Sequence, residues 1–259
     1  MNVVFVILVA SSVLATVLWL ALPWLLRLRG VEMRRHSMFG AVLIFETPDE
    51  DGTPVRLLNV NGTFQSASYV SDELWSELVC AYHREMVEVI DEAGDVGSVC
   101  IIGGGGFSLP KYLAMHTRRM RITTLEIDPQ MIDIARERFF LGRAEEYAGE
   151  RFEIVCADGL AWLATCGRRF DVIINEAFTG RRPLGALETD EGARLIKEHL
   201  TPRGIYLADA RCPLEGRDAR PLREVQEAFG REFTSVRVIP ERPEAPRKPG
   251  NNVVVATSR

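Results

Sequence analysis

The residues best placed to do chemistry are glycines and acids at the ends of apolar runs. Ile101-Ile102-Gly103-Gly104-Gly105-Gly106 follows one such run and precedes a helical pattern. Glycine lets the backbone turn sharply there and approach a bound nucleoside without a Cβ clash. Glu126, followed by Ile127, ends the next apolar run. A carboxylate about 20 positions after such a turn can accept hydrogen bonds from ribose hydroxyls. Ala157-Asp158-Gly159 closes a third run, where Asp158 can accept the adenine amino group; the plain alternative is a helix N-cap. Asn175-Glu176 closes a fourth, at the sheet edge where ligands bind in such folds, the alternative being a solvated loop acid. A nicotinamide dinucleotide suits the turn poorly, because Ser108 stands where its third glycine would pack and Pro110 follows. The set leans towards a sulfonium nucleoside.

Positioning these groups requires alternating strands and helices. Strands are expected at 98–102, 122–127, 152–156, 170–175 and 204–208, with helices at 109–116, after Asp128-Pro129, at 160–165, 191–200 and 220–229. Pro129 suits the first helical position, where its missing N–H costs nothing. Two closing runs, 234–238 and 252–257, fit an antiparallel edge. The alternation predicts an α/β, Rossmann-like, doubly wound, mostly parallel sheet of the class I S-adenosylmethionine-dependent methyltransferase type. Ahead of it, runs 41–46 and 55–60 around Asp51-Gly52, then Asn61-Gly62, read as a small β appendage over residues 38–68. A long helix is expected from Ser71-Asp72-Glu73 to Gly94, and the nucleoside-binding domain is taken as 71–259.

Residues 2–26 carry no charged side chain and are rich in Val, Leu, Ile, Ala and Trp. About 25 residues at roughly 1.5 Å each would span a hydrocarbon slab, so residues 1–30 are expected to be one transmembrane anchor. Arg27, Arg29, Arg34 and Arg35 follow it, which predicts an N-terminus outside and a catalytic domain on the cytoplasmic side.

A net charge of -5 over 259 residues argues against nucleic acid, and the arginine pairs at 118–119, 168–169 and 181–182 are short. The five cysteines form no CxxC pair and read as reduced core thiols; the four histidines show no ligand spacing, so no metal is expected.

Taken together, Asn61-Gly62-Thr63-Phe64-Gln65-Ser66, the Gly103–Gly106 turn, Leu125-Glu126-Ile127-Asp128, Ala157-Asp158-Gly159 and Phe170-Asp171-Val172-Ile173-Ile174-Asn175-Glu176 resemble the spermidine synthases, or polyamine aminopropyltransferases. The resemblance covers roughly residues 60–257 and is nearest the divergent bacterial branch often fused to membrane segments. It implies a decarboxylated S-adenosylmethionine donor, a small amine acceptor, a homodimer, Gln65 on the sulfonium nucleoside, Glu126 on ribose and Asp158 on adenine. Three departures accompany it. Gly106 stands where the family has aspartate, and Glu176-Ala177-Phe178-Thr179-Gly180 where it has Asp-Ser-x-Asp-Pro. The family's Tyr-His pair aligns with Ser76-Glu77, although Tyr82-His83 lies nearby.

Glu176 is then the expected base for aminopropyl transfer. Glycine at 106 would tolerate the carboxylate of ordinary S-adenosylmethionine, which favours an alternative methyltransferase on a small or lipid-proximal acceptor. The loss of the second acid at Thr179 favours a third reading, a non-catalytic nucleoside-binding module. Phe178, Thr179 and Arg181-Arg182-Pro183 are expected to border the acceptor.

Overall fold

The computed structural model describes residues 3–179, 182–183 and 186–258; side chains are described outside 1–10, 36, 178–186 and 259. Helix α1 (Val3–Arg27) leads into a four-stranded antiparallel sheet of β1 (Glu32–Ser37), β2 (Gly40–Pro48), β3 (Pro54–Val60) and β4 (Thr63–Tyr69), paired in that order. The β2–β3 and β3–β4 connections use Gly52 (φ 84°), Asn61 (φ 50°) and Gly62 (φ 82°), the positive φ that tight turns require. Strand β1 was not expected from sequence.

The core follows as α2 (Ala81–Ala93), β5 (Ser98–Ile102), α3 (Ser108–His116), β6 (Arg121–Glu126), α4 (Pro129–Arg138), α5 (Leu141–Ala148), β7 (Phe152–Cys156), α6 (Gly159–Cys166) and β8 (Phe170–Asn175). A two-residue pair, β9 (Phe178–Thr179) and β10 (Arg182–Pro183), precedes α7 (Asp190–Glu198), β11 (Leu200–Cys212), α8 (Arg220–Glu232), β12 (Ser235–Ile239) and β13 (Gly250–Thr257). The seven-stranded sheet runs β12-β13-β11-β8-β5-β6-β7. Its β11, β8, β5, β6 and β7 are parallel, and β13 and β12 close it antiparallel.

Alternate strand residues bury opposite ways, the mark of a sheet covered on both faces. Val99, Ile101, Val172, Ile174 and Leu207 join Met86 and Ile90 of α2, Leu113 of α3 and Ile134 of α4. Cys100, Ile102, Ile173, Tyr206 and Ala208 join Leu163 of α6, Ile196 of α7 and Phe229 of α8. From β5 the chain winds outward to β6 and β7, then crosses to β8 on the other side. A crevice opens at such a reversal of strand order.

The expected membrane anchor is overturned. Among the described residues no helix is long and apolar enough to cross a membrane. Helix α1 interrupts its apolar run with Ser11, Ser12, Thr16 and Pro23. Two of the four arginines read as topological signals are engaged in the fold: Arg34 pairs with Glu32 at 2.6 Å and Glu137 at 2.5 Å, and the Arg35 guanidinium lies 3.7 Å over the Trp19 ring. The single-pass assignment, the membrane partner and the cytoplasmic placement derived from it fall together.

Candidate functional site

A cavity of about 600 Å³ opens at the carboxyl ends of β5, β6, β7 and β8, with one wall from the N-terminal sheet. Its lining includes Gly103, Gly104 and Gly105 after β5, Glu126 and Ile127 at the end of β6, Ala157, Asp158 and Gly159 after β7, and Glu176 after β8. Gln65 and Thr63 of β4, with Val60, Asn61 and Phe39, supply the opposite wall.

The glycine turn is held together by Glu126. Its Oε2 accepts from the Gly104 and Gly105 N–H groups at 2.9 and 3.0 Å, and its Oε1 accepts from Asp128 N–H at 3.0 Å. Gly103 has φ 100°, and a Cβ there would meet the Glu176 carbonyl at 2.8 Å, so only glycine lets β5 turn so close to the end of β8. At Gly104 a Cβ would strike the buried Phe107 ring at 2.5 Å.

Gly106 is the exception among the expected site residues. It is buried and absent from the cavity lining, and a Cβ there would meet Ser66 Oγ at 2.6 Å and the Phe139 ring at 3.2 Å. An aspartate at this position would have to displace Ser66, which is itself bonded to Ser108 at 2.9 Å.

Asp158 is the helix N-cap weighed as its plain alternative, and it also stands at the cavity. Its Oδ1 caps α6 by accepting from Ala161 N–H at 2.9 Å, while the residue still borders the cavity. One carboxylate has two oxygens, so capping leaves the other free for a ligand.

Glu176 is half-buried, and its Oε1 lies 2.7 Å from Nε2 of buried His83. His83 Nδ1 is buried with no hydrogen-bond partner among the described residues. Tyr82 lies beside it, ring centroids 4.1 Å apart, and lines the cavity. These two residues occupy the first turn of α2. The Ser76-Glu77 stretch, with which the family's Tyr-His pair aligns, precedes the helix, with Glu77 3.0 Å from His116. The pair that reaches the site is Tyr82-His83.

Asp209 is a further acid that the sequence reading missed. Register places Ala208 opposite Asn175, so Asp209 follows alongside Glu176 at the sheet edge. It is buried, and its Oδ1 has no hydrogen-bond partner among the described residues. Burial first, then the charges of Glu176 and Glu241, push its carboxyl well above the usual range. The same surroundings raise the Tyr82 phenol and push the Cys80 thiol up to about 12. A thiol so raised stays protonated and is a poor nucleophile.

Among the described residues no group of three His, Cys, Asp or Glu could hold a metal ion. Phe178, Thr179 and Arg181-Arg182-Pro183, expected at the acceptor, have side chains outside those described.

Residues 79–244 match the spermine/spermidine synthase domain. The polyamine aminopropyltransferase of Neisseria meningitidis serogroup A is 29% identical over 171 residues, covering 62% of this chain and 64% of that protein. The chain therefore spans a little under two thirds of that relative's length. A probable spermidine synthase from Corynebacterium glutamicum superposes with TM-score 0.71 at 22% identity, over 88% of this chain and 80% of the other. A spermidine synthase in complex with the transition-state analogue AdoDATO gives TM-score 0.66 at 22% identity, over 88% and 75%.

Proposed function

Because the chain belongs to the spermine/spermidine synthase family, we propose that it transfers an aminopropyl group from decarboxylated S-adenosylmethionine to a small amine. The observation that carries this reading is the Glu176–His83 pair at one cavity whose other walls carry Glu126, Asp158 and Gln65. A cavity of about 600 Å³ is of ordinary size for a small-molecule site. Glu126 faces the ribose, Asp158 the adenine amino group and Gln65 the sulfonium end.

The chemistry asks little of the protein beyond placement. The acceptor nitrogen attacks the carbon next to sulfur, the C–N bond forms, and the C–S bond breaks with its electron pair staying on sulfur. The leaving thioether is neutral and needs no acid. One proton must leave the attacking amine, and Glu176 takes it. His83 Nε2–H, donating to Glu176 Oε1, fixes the carboxylate's orientation and leaves its second oxygen for the amine.

The acids that line the cavity among the described residues, Glu126, Asp158 and Glu176, each have another task above; with none left to engage the aminopropyl ammonium or repel a carboxylate, methyl transfer from ordinary S-adenosylmethionine is a second reading. A charge-assisted hydrogen bond is worth about 1.5–3 kcal/mol, so its loss would cost the decarboxylated donor about tenfold or more in affinity. Parallel calorimetric titration of the full chain with both donors decides between them. Preference for the decarboxylated donor, with methylthioadenosine formed on adding putrescine, supports aminopropyl transfer. Preference for the carboxylated donor with S-adenosylhomocysteine as product overturns it.

A further inference from the structure

Behind the cavity floor lies a polar cluster that this chemistry does not use. Glu188 sits in the short turn Ala186–Glu188 ahead of α7 and is buried. Its Oε1 accepts from the Tyr206 hydroxyl at 2.6 Å and from Asn175 Nδ2 at 2.9 Å. Asn175 Oδ1 in turn accepts the Ala177 N–H at 3.1 Å. The Glu176 N–H donates to Ile102 O at 2.8 Å. Glu176 is thus held at its own amide and at the next one, and the second hold depends on which way the Asn175 side chain faces.

We propose that Glu188 is a positioning residue for Glu176: it fixes the orientation of Asn175 and so the place of the Glu176 carboxylate against His83. This rests on Glu176 being the base in the reaction proposed above. The physical argument concerns one side-chain amide. Asn175 could present either Nδ2 or Oδ1 to the Ala177 N–H, and two donors facing each other would break the hold. An acceptor on the far side selects the arrangement with Oδ1 towards Ala177, and Glu188 Oε1 is that acceptor. Tyr206, fully buried and stacked 4.6 Å from Phe229, fixes the acceptor in turn. A buried acid with no cation beside it among the described residues is costly where a hydrocarbon would pack, as Leu187 beside it does. Burial pushes the Glu188 carboxyl up to about 7. Neutral or ionised, it keeps an oxygen to accept from Asn175.

The test compares Glu188→Ala with Glu188→Gln, whose amide oxygen retains both contacts. With Glu188→Ala, kcat should fall by on the order of 100-fold, the cost of a misplacement of about 1 Å, while methylthioadenosine affinity is unchanged. Glu188→Gln should restore most of the loss. A second readout does not depend on turnover: the ¹⁵N resonance of His83 Nε2, assigned by its absence in His83→Asn, should move in Glu188→Ala and return in Glu188→Gln. If the wild type shows no aminopropyl transfer, the functional reading fails but this resonance still tests the positioning role. An unmoved resonance with unchanged kcat overturns the proposal. So does an equal loss of nucleoside affinity and thermal stability with the resonance unmoved, which marks general support of the fold. Should Glu188→Ala not fold, Glu188→Met with Tyr206→Phe removes the same acceptor and leaves only Asn175 unpaired.

Discussion

Each acid at the cavity can be separated from its neighbours by a substitution that leaves its structural contact in place. Glu176→Gln keeps an amide oxygen to accept from His83 but cannot take a proton. We expect kcat to fall by about 10²–10⁴-fold with donor affinity unchanged, read by steady-state kinetics beside calorimetry. A fall in affinity alone would assign Glu176 to binding. Asp158 separates in the same manner. Asp158→Asn can still cap α6 through its side-chain oxygen, yet turns an N–H₂ towards the adenine amino group. Its melting temperature should stay near wild type while nucleoside affinity drops about tenfold, the loss of one hydrogen bond. Asp158→Ala should lose both, with about 1 kcal/mol from the missing cap. If Asp158→Asn binds the nucleoside as well as wild type, Asp158 is a cap only.

At the scale of single elements, α3 carries the least expected group in the fold. Lys111 is buried on it, with Nζ donating to Ser68 Oγ at 2.8 Å and to Phe139 O at 2.9 Å. Burial first, then the nearby Arg56 charge, brings its ammonium down to about 7 from an ordinary 10.5. Between those values the unfolded chain binds a proton that the folded chain lacks, so stability rises with pH across the window. Urea unfolding at pH 7 and at pH 9 should therefore show Lys111→Met losing on the order of 2 kcal/mol of that rise relative to wild type. Equal slopes would mean the cation survives on the Trp75 and Phe140 rings, 5.8 and 5.6 Å away. Element boundaries also explain what the sequence reading missed. Apolar spacing from Leu74 onward marked a helix but not its start, because Cys80 at the N-cap offers no side-chain bond. With α2 beginning at Ala81, Tyr82 and His83 fall in its first turn, above the strand ends; a start at Ser71 buries them mid-helix. Likewise β11 was expected to stop at Ala208, one residue short of Asp209. Strands β5 to β8 were legible because each is a short apolar run followed closely by glycine or acid, and those ends line the cavity. Gly106 shared the spacing of the turn but not its direction, and spacing alone does not reveal which way a backbone faces.

For the whole molecule, the N-terminal sheet and the core meet at Asp128. This carboxylate is fully buried; Oδ1 accepts from Gln130 N–H at 3.0 Å, capping α4, and Oδ2 accepts from Met38 N–H at 2.8 Å. Further buried links are Lys111 Nζ to Ser68 Oγ at 2.8 Å and Ser108 Oγ to Ala67 O at 2.7 Å, beside surface ion pairs, Arg138–Glu32 at 2.7 Å and Arg34–Glu137 at 2.5 Å, which are worth little in water. The cavity has Phe39, Asn61 and Gln65 on one side of this joint and Glu126, Asp158 and Glu176 on the other. A nucleoside filling it binds only when both sides are assembled, and therefore stabilises the joint as well as the core. Asp128→Ala removes a cap and leaves the Met38 N–H unpaired, at a cost of about 2–4 kcal/mol. Val42, Ile44, Leu58 and Val60 share one apolar cluster with the core, so calorimetric melting of this variant should show a single transition, lowered by about 5–15 °C. Methylthioadenosine at about 100 times its Kd contributes about 2.7 kcal/mol, roughly 5–10 °C for a chain of this size, and should recover much of that loss. If Asp128→Ala binds methylthioadenosine as tightly as wild type, the N-terminal sheet contributes nothing to the nucleoside site. Gln65→Ala should then bind as tightly as wild type, and the site would be the work of the core strands alone.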